Sequence, residues 1–245
     1  MHDIKAVVLA AGKGTRLSSE MSDTPKVMRE ASAKPILAYV LDALQTIGKE
    51  NIILVVGYKK ESVLEYFKGY RYAVQQEQLG TGHAIMSAKD ELFNHEGATL
   101  VCYGDMPLMK SETYKNLINT HFEEQNDCTL LTCTSSLPMA FGRIVRGEAG
   151  IFEKVVEQKD ALPEELKIKE LNTGVYVFHT QKMLAALKEL KNNNSQNEYY
   201  ATDLPAIMKS KGDKIGILMQ ELNKDIIGVN TEEELAMVEE IINKR

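Results

Sequence analysis

Tryptophan is absent from this sequence, and cysteine occurs only 3 times. Cys102, Cys128 and Cys133 each stand alone in an apolar stretch, with no Cys-x-x-Cys pair and no Cys/His cluster, which argues against a zinc site or a disulfide framework. They read as buried, reduced thiols. No apolar run approaches the ~18–20 residues of a membrane span, and the opening Met-His-Asp-Ile-Lys lacks the apolar stretch of a secretion signal. A cytoplasmic protein without membrane contact is the plain expectation. Positive charge is also short: 29 Lys and Arg against 35 Asp and Glu leave a net charge of −6, which offers no general attraction for nucleic acid. No serine, cysteine or histidine stands in a nucleophile setting, so no covalent intermediate is indicated. Linkers of disordered composition and internal repeats are missing too, and 245 residues suit a single domain with a full core.

What is present is an alternation of strand-like and helix-like segments, the pattern of an α/β protein with a mixed, mostly parallel sheet flanked by helices. Strands are predicted at 4–9, 52–56, 72–74, 99–103, 128–134, 171–178 and 214–219. Pro35 opens a helix with apolar residues at 36, 37, 40, 41, 44 and 47, stopped by Gly48. Further helices are expected up to Tyr66, over 84–92 and 112–124, up to Leu190, and over 203–211. From Phe141 the texture changes, and 143–146 with 151–156 read as a hairpin. Thr231 and Glu234 form a capping box for a last helix carrying Leu235, Val238, Ile241 and Ile242. That helix offers its apolar stripe to the sheet or to a second subunit, so a homo-oligomer stays open. The expected organisation is one domain, 1–245: a Rossmann-like nucleotide-binding half over about 1–140, a small antiparallel sugar-binding part over 141–230, and a C-terminal helix over 231–245.

The most informative segment follows the first strand: Leu9-Ala10-Ala11-Gly12-Lys13-Gly14-Thr15-Arg16, with Thr24-Pro25-Lys26 ten residues on. A buried strand that breaks into small residues, with Arg16 and Lys26 beyond it, can bring backbone N–H groups and two cations around polyphosphate. It is neither a Walker A loop nor a dinucleotide fingerprint, because the required Lys-Ser/Thr and third glycine are missing. Taken alone, Lys26 also fits a solvated surface lysine. Asp105, after the apolar strand 99–103, suits either a helix cap or one ligand of a hard cation brought by a nucleotide. Asn230 suits a helix cap or a second oxygen ligand equally well. Gln75-Gln76-Glu77-Gln78-Leu79-Gly80-Thr81-Gly82 offers amides able to read a pyrimidine edge and glycines that permit close approach, although a polar strand-to-helix loop has the same composition. Glu157, Asn172-Thr173-Gly174 and Tyr199–Asp203 follow or end strands and carry groups suited to sugar hydroxyls.

Together these residues resemble the sugar-1-phosphate nucleotidyltransferase superfamily, whose signature is Leu-Ala-Ala-Gly-x-Gly-Thr-Arg-Leu/Met with a later Pro-Lys. Gln78–Ala84, Tyr103–Leu108, Phe141–Arg146, Val156–Ala161, Leu171–Gly174, Glu198–Asp203 and Gly228–Asn230 bring the likeness closest to the pyrophosphorylase domain of bacterial N-acetylglucosamine-1-phosphate uridylyltransferases. The resemblance implies the nucleotide-diphospho-sugar transferase fold and transfer of UMP from UTP to N-acetylglucosamine-1-phosphate. It implies that Leu9, Ala10, Ala11, Gly12, Gly14 and Thr15 line the nucleotide, and that Gln75, Gln78, Gly80 and Thr81 read and position it. Arg16 and Lys26 would hold the phosphates as the catalytic cations, and Asp105 with Asn230 would bind Mg²⁺. Gly142, Glu157, Asn172 and Thr202 would contact the amino sugar. UTP or dTTP with another sugar-1-phosphate is the alternative in the same class, and a silent nucleotide-sugar-binding regulator is the alternative in another. Two departures stand out. The 245 residues hold no hexapeptide repeats of an acetyltransferase, so that activity is not expected of them. Met139-Ala140-Phe141 also replaces a Thr-Gly-Tyr-like sequence before Gly142.

Overall fold

Strand β1 (Ile4–Ala10) is buried at six of its seven positions, because it pairs on both sides and is covered on both faces. A strand in that position needs an unbroken apolar run rather than an alternating one. The computed structural model describes residues 2–14, 24–134 and 140–245. Beside β1 run β4 (Ile52–Val56) and β6 (Ala98–Tyr103), both parallel to it, and β5 (Arg71–Val74) extends the sheet parallel to β4. On the other side β10 (Glu170–His179) lies antiparallel to β6 and to β7 (Cys128–Thr134). The last strand, β11 (Ile215–Gln220), runs parallel to β7. The order is β11-β7-β10-β6-β1-β4-β5.

The predicted hairpin exists as β8 (Gly142–Arg146) and β9 (Phe152–Val156), but it is joined to the main sheet through the start of β10. Because β10 runs opposite to β6, its first residues share one edge with the carboxyl ends of β1, β4, β5 and β6. That edge gathers the loops which the sequence marked, as expected of open α/β sheets.

Helices α1 (Ile36–Ala43), α2 (Lys60–Tyr66), α3 (Thr81–Ser87), α4 (Lys89–Leu92), α5 (Ser111–Glu123), α6 (Thr180–Leu187), α7 (Leu204–Ser210) and α8 (Glu232–Asn243) connect or cover the strands. Successive residues of β1 point to opposite layers: Ala6, Val8 and Ala10 join one core with Leu37, Leu41 and Leu117, while Val7 and Leu9 join the other with Ile85, Phe178 and Met183. The helix predicted over 84–92 is in fact two, because Ala88 at φ −90°, ψ 3° leaves the helical ladder and its N–H bonds to Ile85 O. The helix expected to reach Leu190 ends at Leu187.

A two-residue ladder of β2 (Glu30–Ala31) and β3 (Lys34–Pro35) was not foreseen. Its turn holds Ser32 and Ala33 at φ 53° and 59°, without the Asn-Gly that announces such hairpins. Glu239 and Asn243 on α8 bond Ser32 there. The apolar stripe of α8, Leu235 and Val238, closes a small core with Ala31, Ile36, Leu108, Ile227 and Val229 of the same chain. No helix among the described residues is long and apolar enough to cross a membrane.

Candidate active site

Where β1 ends, Leu9, Ala10 and Ala11 are buried, while Gly12 is exposed with open space where a side chain would stand. Gly14, at φ 67°, lies where a Cβ would come within 2.7 Å of Lys26 Cβ, so the missing side chain lets Lys26 cross the loop. Thr15 and Arg16 lie outside the described residues. Gly57, just past β4, draws two predicted residues together: a Cβ there would meet Ala11 O and Gln78 Nε2, each at 3.0 Å.

Gln75 is 4% exposed, and its Nε2 donates to Gly80 O at 3.1 Å and lies 3.2 Å from His83 Nδ1. Its amide thus braces the turn that leads into α3. Gly80 sits at φ 105°, and a Cβ there would lie 2.6 Å from Tyr199 O. The close approach that this glycine permits is to the Tyr199 segment. Tyr199 N–H donates to Leu79 O at 2.8 Å, and Gly82 N–H donates to Tyr199 O at 2.7 Å. Thr81 Oγ1 accepts from Ala201 N–H at 3.0 Å. The glutamine loop and the Tyr199–Thr202 segment are therefore stitched into one wall.

At the centre of the edge, Lys26 opens a 3₁₀ turn behind Pro25 and reaches across to β6. Its ammonium is hydrogen-bonded to Asp105 Oδ2 and lies 3.1 Å from Asn230 Oδ1. Asp105 and Asn230 are also neighbours through the backbone, since Val229 N–H donates to Asp105 O at 2.9 Å. The two readings of Asn230 turn out to be compatible. Thr231 is the N-cap of α8, and the capping Glu234 carboxylate accepts Thr231 N–H at 3.0 Å and Asn230 N–H at 2.6 Å. The cap fixes the backbone of Asn230 and leaves its side chain for the cleft. A metal implied here meets one test: two hard oxygens from distant segments already converge on a single positive charge, that of Lys26. Mg²⁺ takes one or two protein oxygens of this kind and completes its shell with water and substrate phosphate. Among the described residues, no three His, Cys, Asp or Glu side chains gather to form a protein cage.

The four residues assigned to the sugar form two pairs. Glu157 Oε1 accepts from Thr202 Oγ1 at 3.0 Å, and burial raises the Glu157 carboxyl above its ordinary range despite that bond. Asp203, Asp160 and Glu198 nearby push it the same way. Gly142 pairs with Asn172 across β8 and β10, and a Cβ on Gly142 would meet Val155 Cγ1 at 2.9 Å. Asn172 is 3% exposed, and its Oδ1 is buried without a partner. An orphaned acceptor of this kind costs roughly 1–3 kcal/mol, which a ligand donor would recover. Tyr176 bonds Asn172, and Tyr103 and Glu157 lie near enough to its phenol to disfavour its ionisation. Neither tyrosine stands out in the sequence, because a tyrosine in an apolar strand reads as core. The thiols have no part in this chemistry: burial pushes Cys102 up to about 12 and Cys133 up to about 11.

The chain is similar to several known proteins. The bifunctional protein GlmU of Streptococcus thermophilus is 43% identical over 241 residues, covering 98% of this chain and 52% of that protein. The bifunctional protein GlmU of Caldanaerobacter subterraneus subsp. tengcongensis is 42% identical over 246 residues, covering 100% and 53%. The chain thus spans about half the length of the curated relatives it matches. A crystal structure of UDP-glucose pyrophosphorylase complexed with UDP-glucose superposes with a TM-score of 0.76 at 21% identity, covering 100% of this chain and 99% of the other, a likeness of fold. The family model described as nucleotidyl transferase matches residues 5–226, from β1 to the turn that precedes Gly228, and the chain belongs to that family.

Proposed function

We propose that this chain transfers UMP from UTP to N-acetylglucosamine-1-phosphate, giving UDP-N-acetylglucosamine and pyrophosphate. The observation that carries the reading is the meeting of Lys26, Asp105 and Asn230 at the carboxyl edge of the sheet, from positions up to 204 residues apart. A cation and two hard oxygens at that edge suit polyphosphate rather than a neutral metabolite. The likeness to the GlmU proteins favours the amino sugar over other sugar phosphates.

The attacking group is a phosphate monoester dianion, already nucleophilic at neutral pH, so the chain needs no general base. Catalysis is then positioning and charge neutralisation. In this reading Lys26 offsets charge at the α-phosphate, and Arg16 steadies the departing pyrophosphate. Leu9, Ala10, Ala11, Gly12, Gly14 and Thr15 border the nucleotide, while Gln75, Gln78, Gly80 and Thr81 hold its base end. Gly142, Glu157, Asn172 and Thr202 receive the amino sugar. Asp105 and Asn230 would hold Mg²⁺, which when bound supplies charge neutralisation for the phosphates of both substrates.

A pyrophosphate-release assay, pairing UTP or dTTP with N-acetylglucosamine-, N-acetylgalactosamine- or glucose-1-phosphate with and without divalent ion, tests this directly. UTP with N-acetylglucosamine-1-phosphate should turn over fastest and only with the ion. Preference for dTTP or glucose-1-phosphate would replace the substrate assignment, and folded protein silent on every pair would remove the activity.

A further inference from the structure

Asn172 and Tyr176 are four residues apart on β10, and in a regular strand four residues span roughly 13 Å. Yet Asn172 Nδ2 donates to Tyr176 Oη at 2.7 Å. What shortens the path is a break in register between Asn172 and Tyr176, where β10 slips against β7. Gly174 sits in the break at φ 76°, a conformation that suits glycine. Its missing side chain also admits Tyr103, since a Cβ there would lie 2.3 Å from Tyr103 Cε2. Thr173 clamps the bulge: its hydroxyl donates to Leu131 O at 2.8 Å and accepts Val175 N–H at 3.2 Å.

The result is an amide held at one end only. Asn172 Nδ2 is committed to the phenol, and Oδ1 is left buried and unpartnered at the edge where β8 joins β10. Tyr176 is itself fully buried, so its ring cannot swing away. Glu157 and Tyr103 both face the phenol closely enough to affect it electrostatically. The phenol oxygen accepts the Asn172 Nδ2 proton, so the oxygen end of the amide is the end left over.

We infer that Tyr176 is a positioning residue for the sugar half of the site, holding the Asn172 amide with Oδ1 toward a donor group of the sugar phosphate. The assignment rests on the function proposed above and deepens it. Tyr176 touches no substrate; it acts through Asn172, and the bulge over 172–176 exists to bring the two within reach. The sugar group that it selects for is a hydrogen-bond donor, a hydroxyl or an amide N–H.

Tyr176→Phe tests this, since it keeps the ring and removes only the phenolic oxygen. In steady-state kinetics KM for the sugar-1-phosphate should rise about tenfold, the order set by one lost hydrogen bond, while KM for UTP stays within about twofold. In an Asn172→Ala background the same change should have no further effect on the sugar KM. An unchanged sugar KM, or equal rises for both substrates, overturns the assignment. A second measurement needs no turnover. The Asn172 side-chain NH₂ signals, identified by their loss in Asn172→Asp, should exchange with solvent about tenfold faster in Tyr176→Phe; identical exchange also overturns the assignment. Wild-type protein inactive with every sugar phosphate would remove the reaction proposed above, while the NMR experiment would still decide the Asn172–Tyr176 pairing.

Discussion

One ammonium, that of Lys26, faces the carboxylate of Asp105 and the amide oxygen of Asn230 in a cleft where all three side chains are largely shielded. Charge placed there acts through less water than at the surface, so its loss is felt strongly by a reaction that passes negative charge between phosphates. Lys26→Met keeps much of the stem and removes the charge. It should lower the rate of pyrophosphate release by ~10²–10³-fold, the usual effect of losing one preorganised donor. Near-normal turnover in that variant would show that Lys26 only neutralises Asp105. The residue itself was visible in the sequence only through its setting, a Thr-Pro-Lys beyond a glycine loop with Pro25 stiffening the approach. Its partners were not, since 79 residues separate it from Asp105 and 204 from Asn230, and no local pattern carries such distances. Gly80 teaches the same lesson from the other side. Its glycine was legible, but its reason, the Tyr199 backbone at 2.6 Å from a would-be Cβ, belongs to another part of the chain.

Helix α8 shows how an element can carry a residue of the site without containing it. Thr231 Oγ1 accepts Glu234 N–H at 3.2 Å, and the Glu234 carboxylate returns the bond to Thr231 N–H while also taking Asn230 N–H. Thr231→Ala should therefore cost about 1 kcal/mol of stability, the usual worth of a cap, and leave turnover at saturating substrate nearly intact. Glu234→Ala should cost a similar amount and in addition raise severalfold the divalent-ion concentration for half-maximal pyrophosphate release, because it frees the Asn230 backbone. Urea melts and an ion titration of both variants check this; equal ion requirements would separate the cap from the site. The capping box was readable because its rule is local, as were the strands built from β-branched runs such as 52–56. The β2–β3 hairpin was not readable. Its turn uses Ser32 and Ala33 at positive φ, and bonds from Glu239 and Asn243 offset the strain from more than 200 residues away. The bulge of β10 escaped notice for a related reason: Asn-Thr-Gly inside an apolar strand marks a bend, but not the tyrosine that the bend brings near.

At the scale of the whole molecule, the central sheet is held by buried groups chosen to stay neutral, and this fixes how the fold responds to acid. His121 on α5 lies 3.0 Å from Thr129 on β7, through Nδ1 and Oγ1. Asn126 Nδ2 donates to the same hydroxyl at 3.1 Å, so His121 and Asn126 both bond Thr129 in the buried layer between α5 and β7. Gly216 on β11 makes room, since a Cβ there would fall 1.9 Å from Asn126 Nδ2. Burial lowers the His121 pKa from 6.5 to about 4, with Asp127 opposing the shift and His179 adding to it. In the unfolded chain His121 takes up a proton as the pH falls through about 6.5, whereas the folded protein resists until about 4. The unfolded state therefore binds more protons in that window, and stability falls as the pH falls, by about 3 kcal/mol in total from this group. Below about 4 both states carry the proton and the contribution stops growing. His121→Gln retains a group that can meet the Thr129 hydroxyl and cannot be charged. Urea unfolding of the two proteins at pH 7, 5 and 4 should show the stability of the variant gaining on wild type by about 3 kcal/mol across the series, most of it below pH 6. A constant difference between the two would mean that His121 takes up its proton at the same pH in the folded and the unfolded chain.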